Sequence, residues 1–147
     1  MSYLSVKGVS KTVGGSNILS NISLEFEKTG LVFIVGKSGA GKSTLLNIIG
    51  QLDNEYSGEV VLDNNVCKKD YQAMFEMRRE KIGFVFQDFN LLGDLTVDEN
   101  INIAMDLSES NINDVSSYYK EFEIDQCKDK QCKYMSGGER QRTALVR

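Results

Sequence analysis

Gly36-Lys37-Ser38-Gly39-Ala40-Gly41-Lys42-Ser43-Thr44 is the stretch from which the fold is read. It satisfies the phosphate-cradling pattern G-x-x-x-x-G-K-[ST], with Gly36, Gly41, Lys42 and Ser43 in the specified places. Glycines at this spacing let the backbone bend so that successive N–H groups point inward, and a following helix adds its positive N-terminal end. Lys42 is then a point charge for β- and γ-phosphates, and the Ser43 hydroxyl is a ligand for the Mg²⁺ that a polyphosphate brings with it. The pattern needs a buried strand before it and a helix after it. Leu31-Val32-Phe33-Ile34-Val35 is an apolar run of strand length, of the kind expected for a parallel strand covered on both faces. Leu45, Leu46, Ile48 and Ile49 fall at helical spacing, and Gly50 is a stop. The competing reading is a flexible Gly/Ser linker that carries a lysine; the strand and helix on either side favour phosphate binding.

A chain of 147 residues with 41% apolar and 26% charged side chains has the composition of one globular domain. Its longest apolar run is the one at 31–35, far short of a bilayer span, and Met1-Ser2-Tyr3 opens no signal peptide. The expected location is the cytoplasm. A net charge of −4 offers no basic field for a nucleic-acid backbone, so nucleic acid is not expected as a partner. Cys67, Cys127 and Cys132 are odd in number and are read as free thiols. With no histidine, a zinc site at Cys127 and Cys132 lacks ligands, and none is expected.

Around Leu4, Val6 and Val9 the apolar residues alternate loosely, and Ile22, Leu24 and Phe26 alternate cleanly, with Val13-Gly14-Gly15-Ser16-Asn17 as a turn between them. An antiparallel hairpin is expected there. Glu59-Val60-Val61-Leu62 is a further strand, residues 69–80 are a charged amphipathic helix, and Ile82-Gly83-Phe84-Val85-Phe86 is a second buried strand ending at Gln87. Thr96 with Glu99 makes a capping box for a helix running to about Leu107, residues 108–113 break the pattern, and residues 114–122 form another short helix. Ser136 with Glu139 makes a second capping box, so a helix starts at Gly137 with Gly138 beside it. Cap chemistry alone leaves open whether this start is only a cap or also an anion site. The expected fold class is α/β, with residues 1–93 and the end of the chain in the core and residues 94–147 as a helical subdomain.

Taken together, residues 36–44, Gln87, and Ser136-Gly137-Gly138-Glu139-Arg140-Gln141 resemble the P-loop, Q-loop and signature motif of ABC-transporter ATP-binding domains, in order and over nearly the whole chain. The stretches around Phe84-Val85-Phe86-Gln87 and Leu95-Thr96-Val97-Asp98-Glu99-Asn100 look most like the branch exporting macrolides, lipoproteins and lantibiotics. The resemblance implies a P-loop nucleotide hydrolase core, ATP and Mg²⁺ as cofactors, and a separate transmembrane permease at the inner face of the plasma membrane. It implies that Gly36, Ser38, Gly39, Ala40, Gly41, Lys42, Ser43 and Thr44 bind phosphates, that Ser43 and Gln87 attend the metal, and that Gln87 senses the γ-phosphate. Ser136, Gly137 and Gly138 are implied to act in trans across a head-to-tail dimer, which favours the anion-site reading of that helix.

Several departures bear on activity. Where the family usually stacks an aromatic ring on adenine, this chain has Val13, a weaker contact; where it usually has Gln, this chain has Glu139, which keeps the cap. The Mg²⁺-associated Asp and catalytic Glu of the resembled family follow the signature helix and the switch His comes later still, and none lies within these 147 residues. Negligible hydrolysis by the 147 residues alone is therefore expected. The strands that would separate 31–35 from 82–86 are missing too, so bare strand edges and self-association are expected. The alternatives are a non-catalytic nucleotide-binding or dimerisation module, or a structural remnant that binds nothing.

Overall fold

A computed structural model describes residues 2–107 and 114–147. The break expected at 108–113 lies outside the described residues. The chain divides into two compact units, Met1–Ile82 and Gly83–Arg147.

The first unit is built on an antiparallel sheet. Strand β1 (Leu4–Val13) pairs with β2 (Ser16–Phe26), and Val13 faces Ser16 across Gly14 and Gly15. Both glycines have positive φ, 57° and 79°, as a two-residue type I′ hairpin turn requires. Strand β3 (Ser57–Leu62) lies on the other side of β1, and the short β4 (Asn65–Val66) completes the order β2-β1-β3-β4. Helix α1 (Lys42–Ile49) contributes Leu45 and Ile48 to a core with Val6, Val9, Leu19, Val60, Leu62 and Cys67. Fully burying residues such as Val9, Ile48 and Val60 contributes about 1.5–3 kcal/mol each, against about 1 kcal/mol net for a hydrogen bond. This cluster therefore sets where the sheet and helix meet. Helix α2 (Tyr71–Lys81) starts where the Asp70 side chain accepts the Ala73 N–H at 3.0 Å.

Two irregularities shape β1. Its register shifts between Val6 and Val9, where Gly8 has φ 58°, and hydroxyls replace ladder partners: Gly8 N–H donates to Ser23 Oγ at 3.0 Å and Asn21 N–H to Ser10 Oγ at 2.7 Å. Opposite the bulge, Gly58 has φ 88°, and a Cβ there would sit 2.5 Å from the Gly8 carbonyl oxygen. Farther along, Lys11 is only 8% exposed. Its ammonium donates to Asp53 Oδ1 at 2.7 Å and to the Glu55 carbonyl at 2.9 Å, tying the segment after α1 back to β1. A desolvated ammonium needs both acceptors.

The two runs expected as buried parallel strands are not strands. Residues 31–36 and 82–86 carry no ladder, and Leu31, Phe33 and Val35 are 79%, 76% and 85% exposed. The physical reason is pairing: an apolar run becomes a strand only where a neighbour takes its N–H and C=O groups. Among the described residues no strand pairs with either run. In 82–86 the alternation survives without a ladder: Ile82, Phe84 and Phe86 are half-buried, and the rings of Phe84 and Phe86 stack with centroids 5.4 Å apart.

The second unit is helical. Helix α3 (Val97–Leu107) opens on the expected capping box, Glu99 N–H to Thr96 Oγ1 at 3.1 Å and Thr96 N–H to Glu99 Oε2 at 2.7 Å. Helix α4 (Ser116–Glu121) and helix α5 (Gly137–Val146) follow, with short 3₁₀ turns at Asp125–Cys127 and Cys132–Tyr134. Val97, Ile101, Tyr119, Ile124, Cys127, Cys132 and Met135 form its core. Asn100 is buried and fastens the preceding loop: its Oδ1 accepts the Leu92 N–H at 2.8 Å, and its amide donates to the carbonyls of Leu92 at 3.0 Å and Thr96 at 2.9 Å. Tyr119 donates its hydroxyl to Asp98 Oδ1 at 2.9 Å, and burial first, then that carboxylate, pushes the phenol well above its ordinary range.

Candidate functional site

In the first unit a cavity of about 430 Å³ is lined by Val13, Ile18 and every residue of 38–44. The hairpin β1–β2 supplies one wall and the loop before α1 the other. Their closeness depends on Gly41, which has φ 83° and is buried against β2. A Cβ there would lie 2.9 Å from both the Ile18 carbonyl oxygen and Leu19 Cδ2, so only glycine lets the loop rest on the strand.

Helix α1 has Gly41 as its N-cap and no side-chain cap. Its first backbone bond is Leu45 N–H to the Gly41 carbonyl at 2.9 Å, and among the described residues no carbonyl takes the N–H groups of Lys42, Ser43 or Thr44. Those donors, with the positive end of the helix dipole, open into the cavity wall. The Lys42 ammonium donates to the carbonyls of Gly36 at 2.9 Å and Lys37 at 2.8 Å, folded over its own loop. The lining holds N–H donors, an ammonium and the hydroxyls of Ser38, Ser43 and Thr44, with no carboxylate. That donor set fits a polyphosphate anion, and the exposed Ser43 hydroxyl is a hard oxygen ligand of the kind a divalent cation takes.

Gln87 and the residues Ser136, Gly137 and Gly138 belong to the second unit and are exposed. Gln87 opens a tight turn in which Phe89 and Asn90 take left-handed φ of 61° and 49°. The Arg147 guanidinium donates to the carbonyls of Asn90 at 2.6 Å and Phe89 at 3.2 Å, and Arg140 lies 5.9 Å from the Phe89 ring centroid. At the start of α5 the Ser136 hydroxyl accepts the Glu139 N–H at 3.3 Å, and Glu139 Oε2 accepts the Ser136 N–H at 2.7 Å. The bond from the Ser136 N–H, then that with the Ser136 side chain, holds the Glu139 carboxyl below its usual range.

Sequence reasoning passed over Ile18, Arg140 and Arg147. Ile18 falls at a register shift of the hairpin, between the pairs Thr12–Asn17 and Lys11–Leu19, which no local pattern marks. Nothing local marks Arg147, whose partners lie 57 and 58 positions earlier. The three cysteines are free and buried, and burial raises each thiol. Among the described residues no group of histidine, cysteine and carboxylate side chains could hold a metal, and no helix is long and apolar enough to cross a membrane.

A family model described as ABC transporter matches residues 19–147. The chain is 39% identical to the macrolide export ATP-binding/permease protein MacB of Campylobacter jejuni, over 97% of this chain and 23% of that protein. It is 37% identical to the aliphatic sulfonates import ATP-binding protein SsuB of Bacillus cereus, over 96% of this chain and 53% of that protein. The chain thus spans about half, or less, of the length of these relatives. Among solved structures, the dimeric bacterial ABC transporter cassette MJ0796 superposes with a TM-score of 0.85 at 35% identity, over 97% of this chain and 67% of that one.

Proposed function

Since the chain belongs to the ABC transporter family, we propose that it is the ATP-binding part of an ABC transporter and that Mg-ATP occupies the cavity at residues 36–44. The observation that carries this is the convergence of uncapped N–H groups, the Lys42 ammonium and the Ser43 hydroxyl on one cavity of about 430 Å³. Gly36, Ser38, Gly39, Ala40, Gly41 and Thr44 cradle the phosphates by their backbone, Lys42 neutralises them, Ser43 holds Mg²⁺, and Val13 touches the base. A dimeric relative of this fold is also described in a post-hydrolysis state bound to ADP and Pi, which supports a nucleotide here.

By position in the family motifs, Gln87 attends the metal and the γ-phosphate, and Ser136, Gly137 and Gly138 close on nucleotide held by a second copy. The transported substrate class is a peptide, drug or lipoprotein leaving the cell, moved by a separate transmembrane permease, with the chain at the inner face of the plasma membrane. Relatives named for export and for import both match, so direction rests on the residues around Gln87. Exposed Leu31, Phe33 and Val35, with unpaired backbone, support self-association, which a monomeric mass in sedimentation would refute. We infer that the 147 residues bind nucleotide without turnover: they contain no histidine, and the water-activating carboxylates that the family motifs place after the signature helix are not among them.

Calorimetric titration of Mg-ATP into the chain tests the site. Removing one ammonium that meets two phosphates costs about 3 kcal/mol, so Lys42→Ala is expected to weaken binding about 100-fold. Equal affinity in the variant would end the assignment.

A further inference from the structure

Helix α1 carries the cavity's N–H donors on its first turn, so their aim depends on how the whole helix is held. Its far end is closed without slack. The Gln51 N–H donates to the Ile48 carbonyl at 3.1 Å and the Leu52 N–H to the Asn47 carbonyl at 2.8 Å, the paired bonds of a Schellman motif. Gln51 takes the left-handed position that glycine usually fills there, with φ 58°, and is 2% exposed. Its side-chain amide donates to the Ile48 carbonyl at 3.1 Å, and its own carbonyl accepts from the Arg78 guanidinium. The segment from Asn47 to Leu52 therefore moves with α1, and Asp53 follows it directly.

Asp53 is the point at which β1 takes hold of this end. Its Oδ1 accepts the Lys11 ammonium at 2.7 Å and the Glu55 N–H at 3.0 Å, while the same ammonium donates to the Glu55 carbonyl at 2.9 Å. Lys11 is the register partner of Leu19, the residue whose side chain leaves no room for a Cβ on Gly41. One rung of the hairpin thus meets both ends of the helix, Leu19 just before its first residue and Lys11 just beyond its last. Eight residues of helix span about 12 Å, a lever that could tilt about the Gly41 contact if its far end were free. Lys11 does not line the cavity. Resting on the reading of that cavity as a polyphosphate site, we infer that Lys11 is a positioning residue for polyphosphate: through Asp53 it sets the angle at which α1 presents the N–H groups of Lys42, Ser43 and Thr44. Donors fixed on folding need not be ordered again on binding.

The test titrates the Mg²⁺ complexes of ATP and of inorganic tripolyphosphate into the 147-residue chain and its variants, with urea unfolding of each. Lys11→Met keeps the aliphatic stem and loses the ammonium; it is expected to weaken both ligands equally, by about tenfold. Asp53→Ala removes the same tie from the other side and is expected to give the same loss, so it decides the matter should Lys11→Met not fold. Asp53→Asn keeps the oxygen that Lys11 reaches but not the charge. It is expected to lower the urea midpoint as Lys11→Met does, yet to bind within about threefold of the unaltered chain. A loss of affinity in Asp53→Asn equal to that in Lys11→Met overturns the inference, because binding then follows stability and not position. Unchanged affinity in Lys11→Met or Asp53→Ala overturns it too, as does a loss confined to ATP. If the unaltered chain binds neither compound, the polyphosphate reading itself is removed, a result that needs no variant to recognise.

Discussion

Helix α1 begins at a left-handed Gly41 with no side-chain cap, whereas α5 begins at Ser136 inside a complete capping box. Both starts are glycine-rich and both point a positive dipole outward. In α5 the Ser136 hydroxyl takes the Glu139 N–H and the Glu139 carboxylate takes the Ser136 N–H. In α1 the chain makes neither bond, and it sets Lys42 over the loop instead. An uncapped helix start flanked by a cation is less stable by itself than a boxed one, and it is the arrangement that a bound anion completes. The difference separates a helix start left open at its cap from one that the chain caps itself.

The contrast can be broken by substitution. Gly41→Ala has the largest expected effect on stability, about 3 kcal/mol in urea unfolding, because a left-handed alanine also presses its Cβ against the Ile18 carbonyl. A loss below about 1 kcal/mol would mean that the loop relaxes and that Gly41 does not shape the cavity. Ser136→Ala removes a cap that α1 never had, and is expected to cost about 1 kcal/mol. Arg147→Met is expected to speed amide exchange at Phe89 and Asn90 while leaving β1 and β3 unaffected, since the guanidinium holds only that turn.

The smallest effect is in pH. Glu139 is held below its usual carboxylate range when folded, so it binds its proton less readily than in the unfolded chain. Its contribution is therefore present above the unfolded value, near pH 4.3, and is lost as pH falls through the folded one. Asp94, lowered chiefly by its bond with Lys133, and Asp114, lowered by the Ser116 N–H, titrate in the same acid window. The readout is thus the difference between wild type and Glu139→Gln, which keeps the box without the charge. Identical acid unfolding curves would remove the charge from the argument.

Short-range chemistry was legible throughout. The boxes at Thr96 and Ser136 and the hairpin at Gly14 and Gly15 each depend on residues within four positions of one another. What depends on distant partners was not legible. The run at 31–35 has the composition of a buried strand, but composition cannot supply the neighbour that makes it one. Nothing local marks Lys11 for burial, which depends on Asp53, 42 positions away. In the site, the loop at 36–44 announces its chemistry by spacing, whereas Ile18 enters only through the way the hairpin folds back. Asn100 read as one residue of a motif, and its bonds to Leu92 and Thr96 give it a purpose in holding the loop before α3.

Gly8 and Gly58 face each other across β1 and β3 with no room for a methyl group between position 58 and the opposite backbone. In the language of heredity, the two sites form a linked pair. A side chain at 58 strikes the carbonyl of residue 8, so that change is tolerated only where the bulge at 8 has already been rebuilt. A random library of this hairpin should therefore return side chains at 58 only in clones whose bulge has changed length.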